Sequence, residues 1–139
     1  MAICGIRQYA KGYRYKTASQ PQLLLIYLLQ GELLFSSPDQ WVRLGQGFVG
    51  VFPKQAAFYL ECTKDFRGLY ISFEDLPQHS IFQSAYGVEG DTPIKVVAEL
   101  LRMELLKEVL STTIIHTLCE SFAELTVRLI APPVSPKPD

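Results

Sequence analysis

The chain has 139 residues, 48% of them hydrophobic and 12% aromatic, with a formal net charge of −1. That length fits one domain with at most a short appendage, and that apolar content can bury a real core, which excludes a disordered chain. Near-neutral charge also excludes a global pull toward nucleic acid or anionic lipid.

The charge is unevenly placed. Arg7, Lys11, Arg14 and Lys16 all precede the first acid, Glu32, so the N-terminal arm carries +4. Such an arm reads either as a solvated edge strand or as an anion-binding patch. Cys4, Cys62 and Cys119 are odd in number and contain no C-x-x-C pair, a pattern suited to a reducing cytoplasm. The start "MAICGIRQYAKGYRYK" has no signal-like apolar segment. The longest apolar run, "LLLIYLL" at 23–29, falls far below the roughly 20 residues that cross a bilayer. A soluble, cytoplasmic protein without membrane contact is expected.

Before residue 90, short apolar runs alternate with turn residues. The runs are "YRY", "QLLLIYLLQGELLF", "WVRL", "FVGVF", "AFYLEC" and "RGLYISF", and the dividers are rich in Pro, Gly, Ser and Asp. Strands this closely spaced predict a sandwich or barrel. The stretch Leu23–Phe35 is long for one strand and nearly all apolar, so both of its faces should be covered. Gly31 within it permits a sharp bend or bulge, letting one strand serve two packed sheets. Gly45 and Gly47 precede the next strand, and Pro53, which has no N–H, stops that strand's ladder.

After residue 90 the period lengthens to about 3.5. "DTPIKVVAELLRMELLKEVL" predicts a helix capped by Asp91 or Thr92, with Pro93 at its first position; neither Gly nor Pro marks a joint at Ser111–Thr113, so the pattern leaves a break there open. In "TTIIHTLCESFAELTVRLI", Ile115, Leu118, Phe122, Leu125 and Leu129 recur at spacings of three and four. That seam either pairs two protomers or covers one face of the same chain's barrel, and the narrow stripe favours a dimer. The segment 91–131 carries net −2 and so should not touch DNA itself. "APPVSPKPD" reads as a stiff, extended linker leading to something further.

The string "LLLIYLLQGELLF…WVRLGQGFVGVFPKQAAFYL…FRGLYISFE" resembles the N-terminal cupin domain of AraC-type transcription regulators. The shared features are an apolar strand ending in x-G-E-L, an L-x-x-G leading to F-P-x-x-x-x-aromatic, and an aromatic strand closing in x-F. The resemblance covers about residues 12–75 closely and the helices in outline. It implies a mainly β chain with C-terminal helices: a cupin-like β-barrel (double-stranded β-helix) followed by two α-helices. It further implies a regulatory barrel with an N-terminal arm over 1–90, a helical dimerisation segment over 91–131, and a Pro-rich linker, 132–139, toward a DNA-binding domain that this chain lacks.

The resemblance places the ligand site between the sheets, under an arm containing Tyr13, Arg14 and Tyr15. The ligand contacts it implies are Tyr15, Gln30, Phe58, Leu60, Tyr70 and Ser72, with Ile115, Leu118, Phe122, Leu125 and Leu129 at the dimer interface. Sugar-binding relatives carry histidine and tyrosine where this chain has Phe58 and Leu60. A buried sugar hydroxyl left unpaired costs about 1–3 kcal/mol, so a small apolar effector, a partner protein, or a pocket packed shut is expected instead of a sugar.

Metal-dependent cupins need several histidines and a carboxylate converging inside the barrel. Only His79 and His116 are present, neither near Glu32 or Glu61 in the predicted layout, and Phe58 fills the expected ligand position. No cofactor is expected. "GQGFVG" spells G-x-G-x-x-G but continues into a predicted strand with no helix behind it, so it fails as a phosphate cradle. The function expected is therefore effector sensing and homodimerisation in a bacterial regulator, not catalysis, with DNA reached only through the missing unit. The alternative is a stand-alone small cupin enzyme.

Overall fold

In the computed structural model, residues 2–37, 40–74 and 85–130 are described. They form nine strands, β1 (Ala2–Tyr9), β2 (Arg14–Thr17), β3 (Leu23–Gln30), β4 (Leu33–Ser37), β5 (Gln40–Leu44), β6 (Phe48–Phe52), β7 (Phe58–Cys62), β8 (Phe66–Phe73) and β9 (Tyr86–Glu89), then α1 (Thr92–Leu105) and α2 (Thr112–Ile130). The strands make two antiparallel sheets, ordered β1-β8-β3-β6-β9 and β2-β7-β4-β5.

β3 explains why the fold has three layers. Its "LLLIYLLQ" alternates Leu24, Ile26 and Leu28 toward the second sheet and Leu23, Leu25 and Tyr27 toward the helices, so both faces are buried. Each such side chain contributes about 1.5–3 kcal/mol on leaving water. The register slips between Leu28 and Gln30, and the chain then turns at Gly31, with φ of 92°, into β4 of the other sheet. A Cβ at Gly31 would strike the Asp65 carbonyl, so only glycine fits both the backbone angle and the space. The expected bend is there.

Between the sheets, Phe35, Phe52 and Phe58 pack in series, with ring centroids 5.0 and 4.5 Å apart. Leu33 and Leu44 complete this inner core without exposure. On one lateral side β5 lies against β6 and β9 and closes the barrel. The outer face of the five-stranded sheet carries the helices: Ile94, Ala98 and Leu101 of α1 and Cys119, Phe122 and Ala123 of α2 bury against it. β1 joins this layer through Ala2, Cys4 and Ile6. The neighbouring Cys119 thiol first, and burial after it, push the Cys4 ionisation well up.

Asp91 caps α1, its carboxylate accepting from the Ile94 N–H at 3.1 Å. Pro93 is therefore the second helical residue, not the first. The helix ends at Leu105, earlier than the apolar pattern predicts. Side-chain capping makes this break where no Gly or Pro marks it: Ser111 Oγ accepts from the Ile114 N–H at 3.3 Å, and Glu104 accepts from the Ser111 N–H at 3.4 Å.

The predicted seam is largely turned inward. Phe122 is fully buried and meets Tyr27 edge-on at 6.0 Å, so it cannot serve a dimer contact as expected. The reason is the wide apolar face of α2: Cys119, Phe122, Ala123 and Thr126 form its buried stripe, while Ile115, Leu118, Leu125 and Leu129 sit half-buried beside it.

Candidate binding site

β1 and β2 are edge strands of different sheets, joined by a tight turn at Gly12. Between them lies a cavity of about 270 Å3. Antiparallel partners share a face, and the register pairs Ile3 with Ser72, Gly5 with Tyr70 and Tyr9 with Phe66. The alternate residues Ile3, Gly5, Arg7 and Tyr9 therefore line the inner face beside Tyr70 and Ser72. From the opposite sheet Tyr15 and Leu60, paired across β2 and β7, and Phe58 supply the facing wall. Leu24, Gln20, Tyr13 and Cys4 complete the lining.

The wall is aromatic with polar tips. Tyr9 stacks on Tyr13 at 3.8 Å with planes 9° apart, and Tyr70 sits edge-on to Tyr9. The Arg7 guanidinium lies 5.1 Å above the Tyr70 ring and donates to the Tyr9 hydroxyl at 3.4 Å, a bond that raises its pKa further. Burial pushes the phenols of Tyr70 and Tyr13 upward, so both stay neutral. Burial likewise raises the nearby Cys62 thiol to about 11. No carboxylate lines the cavity, and Arg7 is its one charged group among the described residues. Glu61 is turned outward, bonded to Arg14 at 3.2 Å, and Glu32 is held by Thr63 and Arg43, which lowers its pKa.

Tyr15, Phe58, Leu60, Tyr70 and Ser72 thus converge on one cavity. Gln30 does not. It lies beyond the register slip in β3, is exposed, and sits with Gln8 and Arg67 in a separate surface depression. Sequence reasoning missed Arg7, Tyr9 and Gln20. The signal was the period-two pattern of "AICGIRQY", in which Arg7 and Tyr9 share parity with Ile3.

Among the described residues, no three His, Cys, Asp or Glu side chains cluster closely enough to hold a metal ion. His116 lies on α2, 2.8 Å from Glu120, and His79 falls outside the described residues. No helix among them is long and apolar enough to cross a membrane. The segment 131–139, with the linker, also falls outside the described residues.

No family model and no curated protein matches the sequence. Solved structures do match. An apo variant of ToxT from Vibrio cholerae is similar at a TM-score of 0.67 and 8% identity, over 99% of this chain and 59% of its own. A second ToxT crystal form gives 0.63 and 9%, over 99% and 60%. A cupin superfamily protein from Desulfitobacterium hafniense matches at 0.49 and 22%, over 53% and 68%. This chain spans about three fifths of the ToxT length. The fold is a mainly antiparallel, cupin-like barrel followed by two helices.

Proposed function

We propose that this chain is the effector-sensing and dimerisation unit of an AraC-type transcription regulator. The observation that carries the reading is the extent of the structural likeness: the overlay with ToxT, which is of the AraC family, runs through barrel and helix pair alike, across 99% of the chain. The cavity under the two N-terminal strands supports it, being open to a small molecule and lined by groups that bind and do not react. Neither a nucleophile–base pair nor a histidine lines it. The sequence resemblance in the strands points the same way.

Dimerisation on this reading uses what the helices leave uncovered. Val96, Leu100 and Met103 form an outward stripe on α1, 53%, 46% and 53% exposed, continued by Leu106, Leu110 and Ile114. Apolar side chains recurring on one helix face are better covered than wet, and a second copy covers them most economically by symmetry. Dimerisation would then set the spacing of two attached DNA-reading units.

Two measurements test this. Light scattering on the chain should give twice the monomer mass, falling to one copy in a Leu100→Asp, Met103→Asp variant. The Leu118→Asp, Leu125→Asp pair, on the half-buried flank of α2, should weaken association less. Fused to a DNA-binding unit that represses its operator only as a dimer, the wild-type chain should repress and the first variant should not. A monomeric, non-repressing wild-type fusion refutes the proposal.

A further inference from the structure

We infer that the cavity takes a small aromatic carboxylate, its ring among Leu60, Phe58 and Tyr70 and its carboxylate on Arg7. This rests on the effector-site reading above and adds the chemical class of the ligand. The cavity is amphipathic along its depth. Phe58, Leu60 and Leu24 are almost fully buried and supply no hydrogen bond, whereas Arg7 is exposed and stands at the opening. A ligand lying along that gradient has an apolar body and one polar end.

The polar end is an anion. Arg7 presents five N–H donors in a planar fork, and one reaches Tyr9. No acid among the described residues pairs with it, and no carboxylate shares the cavity to repel a negative ligand. A carboxylate matches the fork with two parallel charge-assisted bonds. Ring faces and edges on the wall favour a flat body, because offset and edge-on contacts are the preferred aromatic geometries. About 270 Å3 lies just under the range typical of drug-sized ligands, which admits one ring with a short acid arm and excludes a long chain. A sugar would leave most hydroxyls against Phe58 and Leu60.

Gly5 supplies the control. It faces Tyr70 across the strand pair, its φ is not positive, and a Cβ there would meet no atom within 4 Å. Gly5→Val therefore fills ligand space without disturbing the fold, and the strand gains a residue it favours.

Calorimetric titration of the chain with benzoate and with its neutral isostere benzamide tests the inference. Benzoate should bind at least tenfold more tightly than benzamide. Arg7→Gln should lose tenfold or more for benzoate and little for benzamide, and Gly5→Val should abolish binding of both with an unchanged or higher melting temperature. Equal binding of the two ligands overturns the carboxylate assignment. Benzoate binding that survives Gly5→Val puts the ligand elsewhere and overturns the inference. So does silence from both ligands, which leaves the proposed function to stand or fall by the mass and repression measurements, since neither reads a ligand.

Discussion

The two lateral sides of the barrel interior are built from the same alternation of inward residues but end differently. At the side closed by β5, β6 and β9, the inward positions hold Phe35, Phe52, Leu33 and Leu44, all fully buried. At the side bounded by β1 and β2 they hold Tyr9, Tyr13, Tyr15, Tyr70 and Arg7, and about 270 Å3 stays open. The difference is one of chemistry before it is one of shape. A phenylalanine loses nothing by being packed dry, whereas a phenol or guanidinium packed without partners forfeits its hydrogen bonds with water. The tyrosine side therefore keeps contact with solvent, and the edge strands there remain apart. A core becomes a site where its aromatic residues gain polar ends.

Truncation on the two sides should break or confirm that contrast most strongly. Phe35→Ala leaves a hole in a sealed core and should cost about 3–5 kcal/mol of unfolding free energy. Leu60→Ala only enlarges a cavity already in contact with solvent, and should cost about 2 kcal/mol, the low end for such a change. Urea unfolding of both variants reads the gap, and equal losses would mean that the two sides are packed alike.

A second variant asks what holds the sides at their spacing. Gly31 passes the chain from one sheet to the other beside the Asp65 carbonyl. Gly31→Ala forces a left-handed backbone angle on a residue with a Cβ and pushes β4 from β8's leading turn. It should cost about 2 kcal/mol, read as a lower urea midpoint. An unchanged midpoint would show that β3 and β4 are positioned by their cores alone.

Much of this is legible in the amino-acid sequence. Gly31 in an apolar run announces the sheet crossing, because no other residue type suits that place in a strand. Phe58, Leu60, Tyr70 and Ser72 fall together because period-two alternation carries a strand's facing residues over long distances. Gln30 fails for the same reason: a one-residue slip after Leu28 shifts the parity of the rest of the strand. Arg7 and Tyr9 are hidden in a strand of mixed composition, "AICGIRQY", whose two faces serve different layers, so neither face shows a clean apolar pattern. Phe122 cannot be placed from spacing, since a stripe that fits a partner helix also fits a sheet. The end of α1 is invisible to pattern because Glu104 and Ser111 make it with side chains.

That last joint offers the subtlest test, one that separates the helical layer from the barrel. The Glu104 side chain is almost fully shielded, ion-paired with Lys107 at 2.8 Å, and accepts from the Ser111 N–H. The Lys107 pair chiefly, and the backbone bond after it, hold its pKa below the ordinary carboxylate value. A group whose pKa is depressed by folding adds stability above its unfolded pKa, near 4.3, and loses it as pH falls through the folded value. Wild type should therefore exceed Glu104→Gln in stability at pH 7, with the margin shrinking steadily below about pH 4.3. Because the joint belongs to the helical layer and none of its residues lines the cavity, ligand binding at the β1–β2 side should not change with this substitution. Urea unfolding of the pair at pH 7 and pH 3 measures the margin. If it stays constant, the carboxylate charge does not hold the turn, and packing around Leu101 and Leu105 fixes the end of α1 instead.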